Sequence, residues 1–222
     1  KACGSIGFVR KGEEIHAKLK NSEFYLEENI VLETALLDMY AKCGNMGKAR
    51  QVFDGIQTRN VVSWNALIAG YVQNKLDDEA LLCFQQMYVE GFVPEVITFI
   101  SILKACGNTG AMDVGKQIHR EIIAHRLLHN NLMLSTALID MYAKCGSPIK
   151  AKKILEKLPV RDVVSWSAVI SGYAQLGQSE EALSCFKWMH KEGHCPNAIT
   201  FLSLLNTCCH SGLVDKGQFL FD

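Results

Sequence analysis

The chain writes the same eleven-residue word twice. Residues 34–44 read TALLDMYAKCG and residues 136–146 read TALIDMYAKCG, differing only at Leu37 and Ile139. The shift of 102 that joins Thr34 to Thr136 also carries Val61-Val62-Ser63-Trp64 onto Val163-Val164-Ser165-Trp166. It carries Ile97-Thr98-Phe99 onto Ile199-Thr200-Phe201, and Cys83-Phe84 onto Cys185-Phe186. A shift held over this length marks an internal repeat, and a repeat limits the fold to architectures built by stacking like units.

A finer period lies inside the long one. Trp64, Leu67, Ile68 and Tyr71 stand at i, i+3, i+4 and i+7, one face of a helix. Glu33, Leu36, Leu37 and Tyr40 repeat that spacing, as do Ser135, Leu138, Ile139 and Tyr142. A second helix follows each first one. The clearest starts at Asp77-Asp78-Glu79, whose acids suit the positive end of a helix dipole, and buries Ala80, Leu81, Phe84 and Met87. It stops near Gly91, with Pro94 just beyond. The unit is therefore a pair of antiparallel helices of roughly 11–14 residues each. The chain tiles as 1–29 (partial), 30–60, 61–95, 96–131, 132–162, 163–197 and 198–222 (partial). One hairpin cannot bury both of its helices, but stacked neighbours can. The expected fold is all-α, a right-handed solenoid with a long groove, with Trp64 and Trp166 in the seams between units.

Composition narrows the function classes. Lys plus Arg and Asp plus Glu both number 23, so bulk charge announces no nucleic-acid partner, though a local basic stripe fits within a neutral total. No apolar run approaches the ~18 residues of a membrane helix, and no membrane partner is expected. The opening KACGSIG reads as the interior of a longer chain. Nine cysteines without a disulfide spacing favour a reducing compartment.

The segments VVSWNALIAGYVQ…EALLCFQQM…GFVPE and VVSWSAVISGYAQ…EEALSCFKWM…GHCPN resemble pentatricopeptide repeats over the whole chain. The alternating lengths resemble the plant PLS subclass. On that resemblance 30–60 and 132–162 are S-type, 61–95 and 163–197 P-type, and 96–131 with both partial ends L-type. The resemblance implies a single-stranded RNA partner read one base per repeat, with the protein N-terminus toward the RNA 5′ end. It further implies organellar RNA processing such as C-to-U editing, in mitochondrion or chloroplast, with RNA-editing accessory proteins as further partners and catalysis in a domain outside these repeats. No cofactor, metal or small-molecule substrate is implied.

In this family the fifth and last residues of a unit read the base. Thr34 with Asn60 implies adenine, and Asn65 leans to a pyrimidine beside Glu95, which lies outside the family pattern. Ile100 with Asn131 offers no hydrogen bond at the fifth position. Thr136 with Asp162 implies guanine, Ser167 with Asn197 adenine, and Leu202 opens another weak unit. The implied core is A-(pyrimidine)-N-G-A. The second residues, which sandwich bases, are Val31, Val62, Ile97, Met133, Val164 and Ile199, all apolar. Three specified bases recur about once per 64 positions, too often to pick one site, so a longer repeat array is expected. A protein-interaction scaffold that holds a peptide in the groove is the alternative reading, and a neutral total charge suits it equally.

Other residues invite chemistry and are better read as packing. Cys43 and Cys145, Cys83 and Cys185, and Cys3, Cys106 and Cys208 recur with the repeat, as small buried helix residues do. Cys208-Cys209-His210 resembles a ligand cluster, but adjacent cysteines chelate one ion poorly and no C-x-x-C is present. His190-Lys191-Glu192 spells half of a zinc deaminase motif, without the matching P-C-x-x-C. His16 and His119 recur while Phe221 stands at the third copy, which favours packing over ligation. No phosphate loop or nucleophile–base constellation is present, and an enzyme is not expected.

Overall fold

The computed structural model describes residues 6–20, 29–128 and 131–210, and among these it holds twelve helices and no strand. They are α1 (Ile6–Lys20), α2 (Ile30–Lys42), α3 (Met46–Gly55), α4 (Val61–Gln73), α5 (Asp77–Val89), α6 (Val96–Thr109), α7 (Met112–Ala124), α8 (Leu132–Lys144), α9 (Pro148–Lys157), α10 (Val163–Gln175), α11 (Ser179–Lys191) and α12 (Ala198–His210). None is long and apolar enough to cross a membrane. The chain divides into two compact units, Lys1–Ala105 and Cys106–Asp222. Cys3 and Phe221 lie outside the described residues.

Both units are built alike. Even-numbered helices are the first of each hairpin and odd-numbered ones the second. In the first unit α2 packs on α4, and α3 and α5 pack on α4. In the second, α10 packs between α8 and α12, with α7, α9 and α11 against the first helices. Helices α7, α9 and α11 pack mainly on first helices, and α9 reaches α11 through Lys152, whose ammonium lies 5.8 Å from the centroid of the Trp188 ring. Within each unit the first helices form one layer and the second helices another.

The helical faces read from the period form the core. Trp64, Leu67, Ile68, Leu37, Leu138, Ile139, Val169 and Ile170 are fully buried. Trp64 meets Phe53 edge-on, with ring centroids 4.6 Å apart. Trp166 is equally buried and its indole N–H donates to Glu192 at 3.2 Å. Glu192 also takes the guanidinium of Arg161, as Glu90 takes that of Arg59 at 3.1 Å. The Glu of the His-x-Glu word is therefore tied into the hairpin, and His190 is exposed beside it.

Two expectations need correction. The second helices α3 and α9 have ten residues, against 13 for α5 and α11. The 31-residue units lose their residues from the second helix, about one turn, because the first helix must keep its full packed face. Cys43 and Cys145 are also not core residues. Each is half-buried at a helix C-cap ahead of a glycine with positive φ, Gly44 at 78° and Gly146 at 75°. Cys83, Cys106, Cys185 and Cys208 are buried. Burial pushes the thiol of Cys106 up to about 12 and that of Cys185 up to about 11, so neither supplies a thiolate near neutral pH.

Close approach of first helices is set by small residues. A Cβ on Gly70 of α4 would lie 2.8 Å from Ala41 Cβ of α2. A Cβ on Gly172 of α10 would lie 2.9 Å from Ala143 Cβ and 3.1 Å from Ala143 Cα of α8. The second clash involves backbone, so it cannot be relieved by a rotamer change. Ala for Gly inside a helix gains about 1 kcal/mol of propensity, whereas overpacking costs about 1–3 kcal/mol. Gly172→Ala is therefore expected to lower stability in urea unfolding, and adding Ala143→Gly to it to restore part of the loss.

Candidate functional site

The last residue of each unit is the N-cap of the next first helix. Asn60 Oδ1 accepts the Ser63 amide at 2.9 Å, Asn131 Oδ1 the Leu134 amide at 3.0 Å, and Asp162 Oδ1 the Ser165 amide at 2.8 Å. Asn197 Oδ1 accepts from the Thr200 amide at 3.0 Å. At Asn60 and Asp162 a serine hydroxyl answers, closing a capping box. A cap admits only an acceptor, so it fixes each side chain by its Oδ1. What remains to face outward is Nδ2, a donor, on each Asn and Oδ2, an acceptor, on Asp162. Glu95 is exposed, and its backbone N–H donates to Thr98 Oγ1 at 3.0 Å.

Fifth residues sit one turn into the first helices, in contrasting surroundings. Ser167 is buried and joins a network: its hydroxyl lies 3.3 Å from Asn197 Oδ1, 2.8 Å from Thr200 Oγ1 and 2.6 Å from the Val163 carbonyl. This is the one fifth and last pair in direct hydrogen-bond contact among the described residues. Asn65 is nearly buried and its Oδ1 accepts from Thr98 Oγ1 at 2.5 Å, so Thr98 links Asn65 to Glu95. Thr34 and Thr136 are half-buried and bond directly to neither Asn60 nor Asp162. The Thr136 hydroxyl oxygen is buried and has no hydrogen-bond partner among the described residues. Ile100 is half-buried, and Leu202 is 60% exposed.

Second residues behave oppositely to ordinary apolar helix residues. Val31, Val62, Ile97, Met133, Val164 and Ile199 are between 58% and 76% exposed, on six successive first helices. They sit beside the caps, outside the packed face.

These positions converge in the second unit. A cleft of about 330 Å³ between first helices α8, α10 and α12 is lined by Val164, Ser167, Asn197, Ile199, Lys144 and Ser171, among others. Ser171 Oγ lies 2.7 Å from Ser203 Oγ on its floor. Lys144 brings a cation to the rim, paired with Asp140 at 2.7 Å. The cleft thus has two apolar side chains, a hydroxyl, an amide edge and a Lys144–Asp140 ion pair. Among the described residues no group of three His, Cys, Asp or Glu side chains gathers to hold a metal ion.

Sequence reasoning missed Thr98 and Thr200, which orient Asn65 and the Ser167–Asn197 pair. Their signal was available. Each is the Thr of an Ile-Thr-Phe word repeated at the shift of 102, three residues after a unit's last residue, where a capping partner belongs.

A layer of first helices with caps and exposed apolar residues at one end defines a tandem helical-hairpin protein of the α-solenoid class. The repeats match sequence models described as "PPR repeat family", over residues 59–108 and 161–210, and "PPR repeat", over 34–61, 135–163 and 199–222. The chain belongs to the pentatricopeptide repeat family. It is 39% identical over 221 residues to pentatricopeptide repeat-containing protein At2g33680 of Arabidopsis thaliana, covering 100% of this chain and 30% of that protein. It is 39% identical over 222 residues to pentatricopeptide repeat-containing protein At1g08070, chloroplastic, of the same plant, covering 99% and 30%. The chain therefore spans about a third of the length of the curated relatives it matches. Among solved structures, pentatricopeptide repeat protein PPR10 from maize superposes with a TM-score of 0.73 at 16% identity, covering 99% of this chain and 32% of that one. PPR10 in complex with an 18-nt psaJ RNA element gives 0.77 at 25% identity, covering 90% and 30%.

Capping and outward presentation separate experimentally. Asp162→Ala removes the cap and is expected to cost about 1 kcal/mol. Asp162→Asn keeps an Oδ1 acceptor and is expected to leave stability within a few tenths of a kcal/mol. Thermal or urea unfolding of the two variants checks both.

Proposed function

We propose that these repeats bind single-stranded RNA, one base per unit, in the order A-pyrimidine-N-G-A with the first unit toward the 5′ end. The observation that carries this is the α8–α10–α12 cleft, where Ser167, Asn197, Val164 and Ile199 meet. A base inserted there stacks between Val164 and Ile199 and turns its polar edge to the Ser167 and Asn197 side chains. RNA in single strands is read in this manner, by its Watson–Crick edge and by its faces. The PPR10 structure with an 18-nt psaJ RNA element supports the reading by likeness of fold.

The cap explains how Asn and Asp specify different purines. Asn197, fixed by Oδ1, presents Nδ2 as a donor, which suits the ring-nitrogen acceptor of adenine. Asp162, fixed by Oδ1, presents Oδ2 as an acceptor, which suits the ring N–H and amino donors of guanine. Thr136, the fifth residue of that unit, supplies the second group of the guanine site. Thr34 with Asn60 forms the first adenine position, and Asn65 with Glu95 the pyrimidine position. Val31, Val62, Ile97 and Met133 stack bases in the other units as Val164 and Ile199 do in the cleft. Ile100 with Asn131 and Leu202 leave their bases unspecified.

The subclass is PLS, and the units are the specificity part of a protein acting in organellar RNA processing such as C-to-U editing, with accessory proteins. The two relatives At1g08070 and At4g18520 carry "chloroplastic" in their names, which supports an organellar setting.

Binding of short RNAs at fixed salt tests the reading. Hydrogen bonds to a charged group contribute about 1.5–3 kcal/mol, so replacing guanine by adenine opposite Asp162 should weaken wild type by about tenfold or more. Asp162→Asn should reverse that preference. Equal affinity for both RNAs in both proteins would sink the base assignment.

A further inference from the structure

Each unit has a cleft beside its second helices, built on the same repeat positions. In the first unit a cleft of about 550 Å³ beside α1 and α3 is lined by Glu13, His16, Glu33, Tyr40, Lys48 and Gln51, among others. In the second a cleft of about 700 Å³ beside α7 and α9 is lined by His119, Tyr142, Lys150, Lys153, Ile154 and Lys157, among others. The framework is common to both. His16 Nδ1 lies 3.0 Å from the Tyr40 hydroxyl, and His119 Nδ1 lies 2.8 Å from the Tyr142 hydroxyl.

The charges are not common. The repeat shift carries Lys48 onto Lys150, Gln51 onto Lys153 and Gly55 onto Lys157, and it carries Glu33 onto Ser135. Glu13, three before His16, becomes Lys116, three before His119. In the first cleft Lys48 is ion-paired to Glu13. In the second no lining residue is Asp or Glu, and Lys150, Lys153 and Lys157 are all exposed on one helix. Lys150 sits over the Tyr142 ring, 5.8 Å being the corresponding distance for Lys48 over Tyr40 and 5.7 Å here. Burial, then the charges of Lys150 and Lys157, hold the His119 pKa below its usual value, so two of the lysine charges are felt in the cleft. Its apolar lining is also larger, with Ile123, Leu128, Ile154, Leu158 and Pro159. Ile123 is 57% exposed.

We propose that the α7–α9 cleft is a docking site for an acidic segment of a partner protein, whose aliphatic or aromatic side chains fill the space between Ile123, Ile154 and Leu158 while its carboxylates pair with Lys150, Lys153 and Lys157. Charge complementarity selects an anion, because three ammonium groups on one helix face a cleft without a carboxylate. The apolar floor selects a peptide over a nucleic acid, since a phosphodiester strand would satisfy the lysines and leave the aliphatic surface uncovered. The caps and exposed apolar residues of the proposed RNA site lie on α8, α10 and α12, so the docking site uses a different layer and stands independently of the RNA reading.

The test uses three fluorescein-labelled peptides of equal length: one mixing Glu with Leu and Phe, one with each Glu replaced by Gln, and one of Glu alone. The first is expected to bind saturably, and the other two at least about tenfold more weakly. Lys150→Glu/Lys153→Glu/Lys157→Glu should weaken the first peptide at least about tenfold and leave RNA affinity within about twofold. Lys153→Gln/Lys157→Gly, which copies the first cleft, should weaken the peptide in the same direction. All the substituted side chains are exposed, and circular dichroism checks that the variants fold. Because bound carboxylates offset the lysine charges, the NMR-titrated pKa of His119 should rise on binding. The proposal is overturned by no binding of the first peptide, by equal binding of the peptides or of the triple variant, or by an unmoved His119. Loss of RNA binding in the triple variant would also overturn it, by assigning the lysines to RNA.

Discussion

The arrangement of the cleft depends on how closely neighbouring first helices can approach. That distance is set where Gly70 faces Ala41 and Gly172 faces Ala143, with no room for one more carbon. The large side chains, Trp64, Trp166 and their aromatic neighbours, are placed on the other side of the helices, toward the second layer. With small residues between first helices and bulky ones behind, the helices stay near each other while their second-layer partners spread. The same division of sizes produces both kinds of opening. A narrow cleft lies among the first helices α8, α10 and α12, and wider ones lie beside the second helices α3 and α9.

A helix start must satisfy amides that have no partner within the helix. Here that need fixes the residue that ends each unit, and one of them, Asn197, lines the cleft. Asn60, Asn131, Asp162 and Asn197 each commit one oxygen to a backbone amide, and the second polar atom then points where the helix geometry aims it. A side chain held in this way loses little entropy when it meets a partner, which is the physical meaning of preorganisation. The same logic extends one residue further at Thr98 and Thr200, whose hydroxyls belong to a cap and also hold a fifth residue. Changing one of these capping residues therefore has a structural cost, and Asn and Asp exchange more easily than either does with Glu.

Much of this was legible in the letters. The repeat shift and the i, i+3, i+4, i+7 faces gave the helices and most of the core, because burial of one face is what repeats. Glu33 is half-buried where Trp64 is sealed, since that position in the first copy carries a polar residue. The exposure of Val31, Val62, Ile97, Met133, Val164 and Ile199 could not be read from hydrophobicity, which argues for burial. It follows from the packing, which leaves these positions off the buried face. The half-burial of Cys43 and Cys145 was hidden for a related reason: both stand one residue past a helix that periodicity alone does not end. The lysines of PIKAKKILEK were plain in the sequence, but only packing shows that three of them rim one cleft.

The proposed RNA site places one nucleotide base between two side chains, Val164 and Ile199. With methyl-labelled Val and Ile, nuclear Overhauser effects can be recorded between the protein and RNA carrying the A-pyrimidine-N-G-A core. The methyl groups of Val164 and Ile199 are both expected to show contacts to the ring protons of the same adenine, the last of the core. Contacts to two different nucleotides, or none from either methyl in a saturated complex, would contradict it.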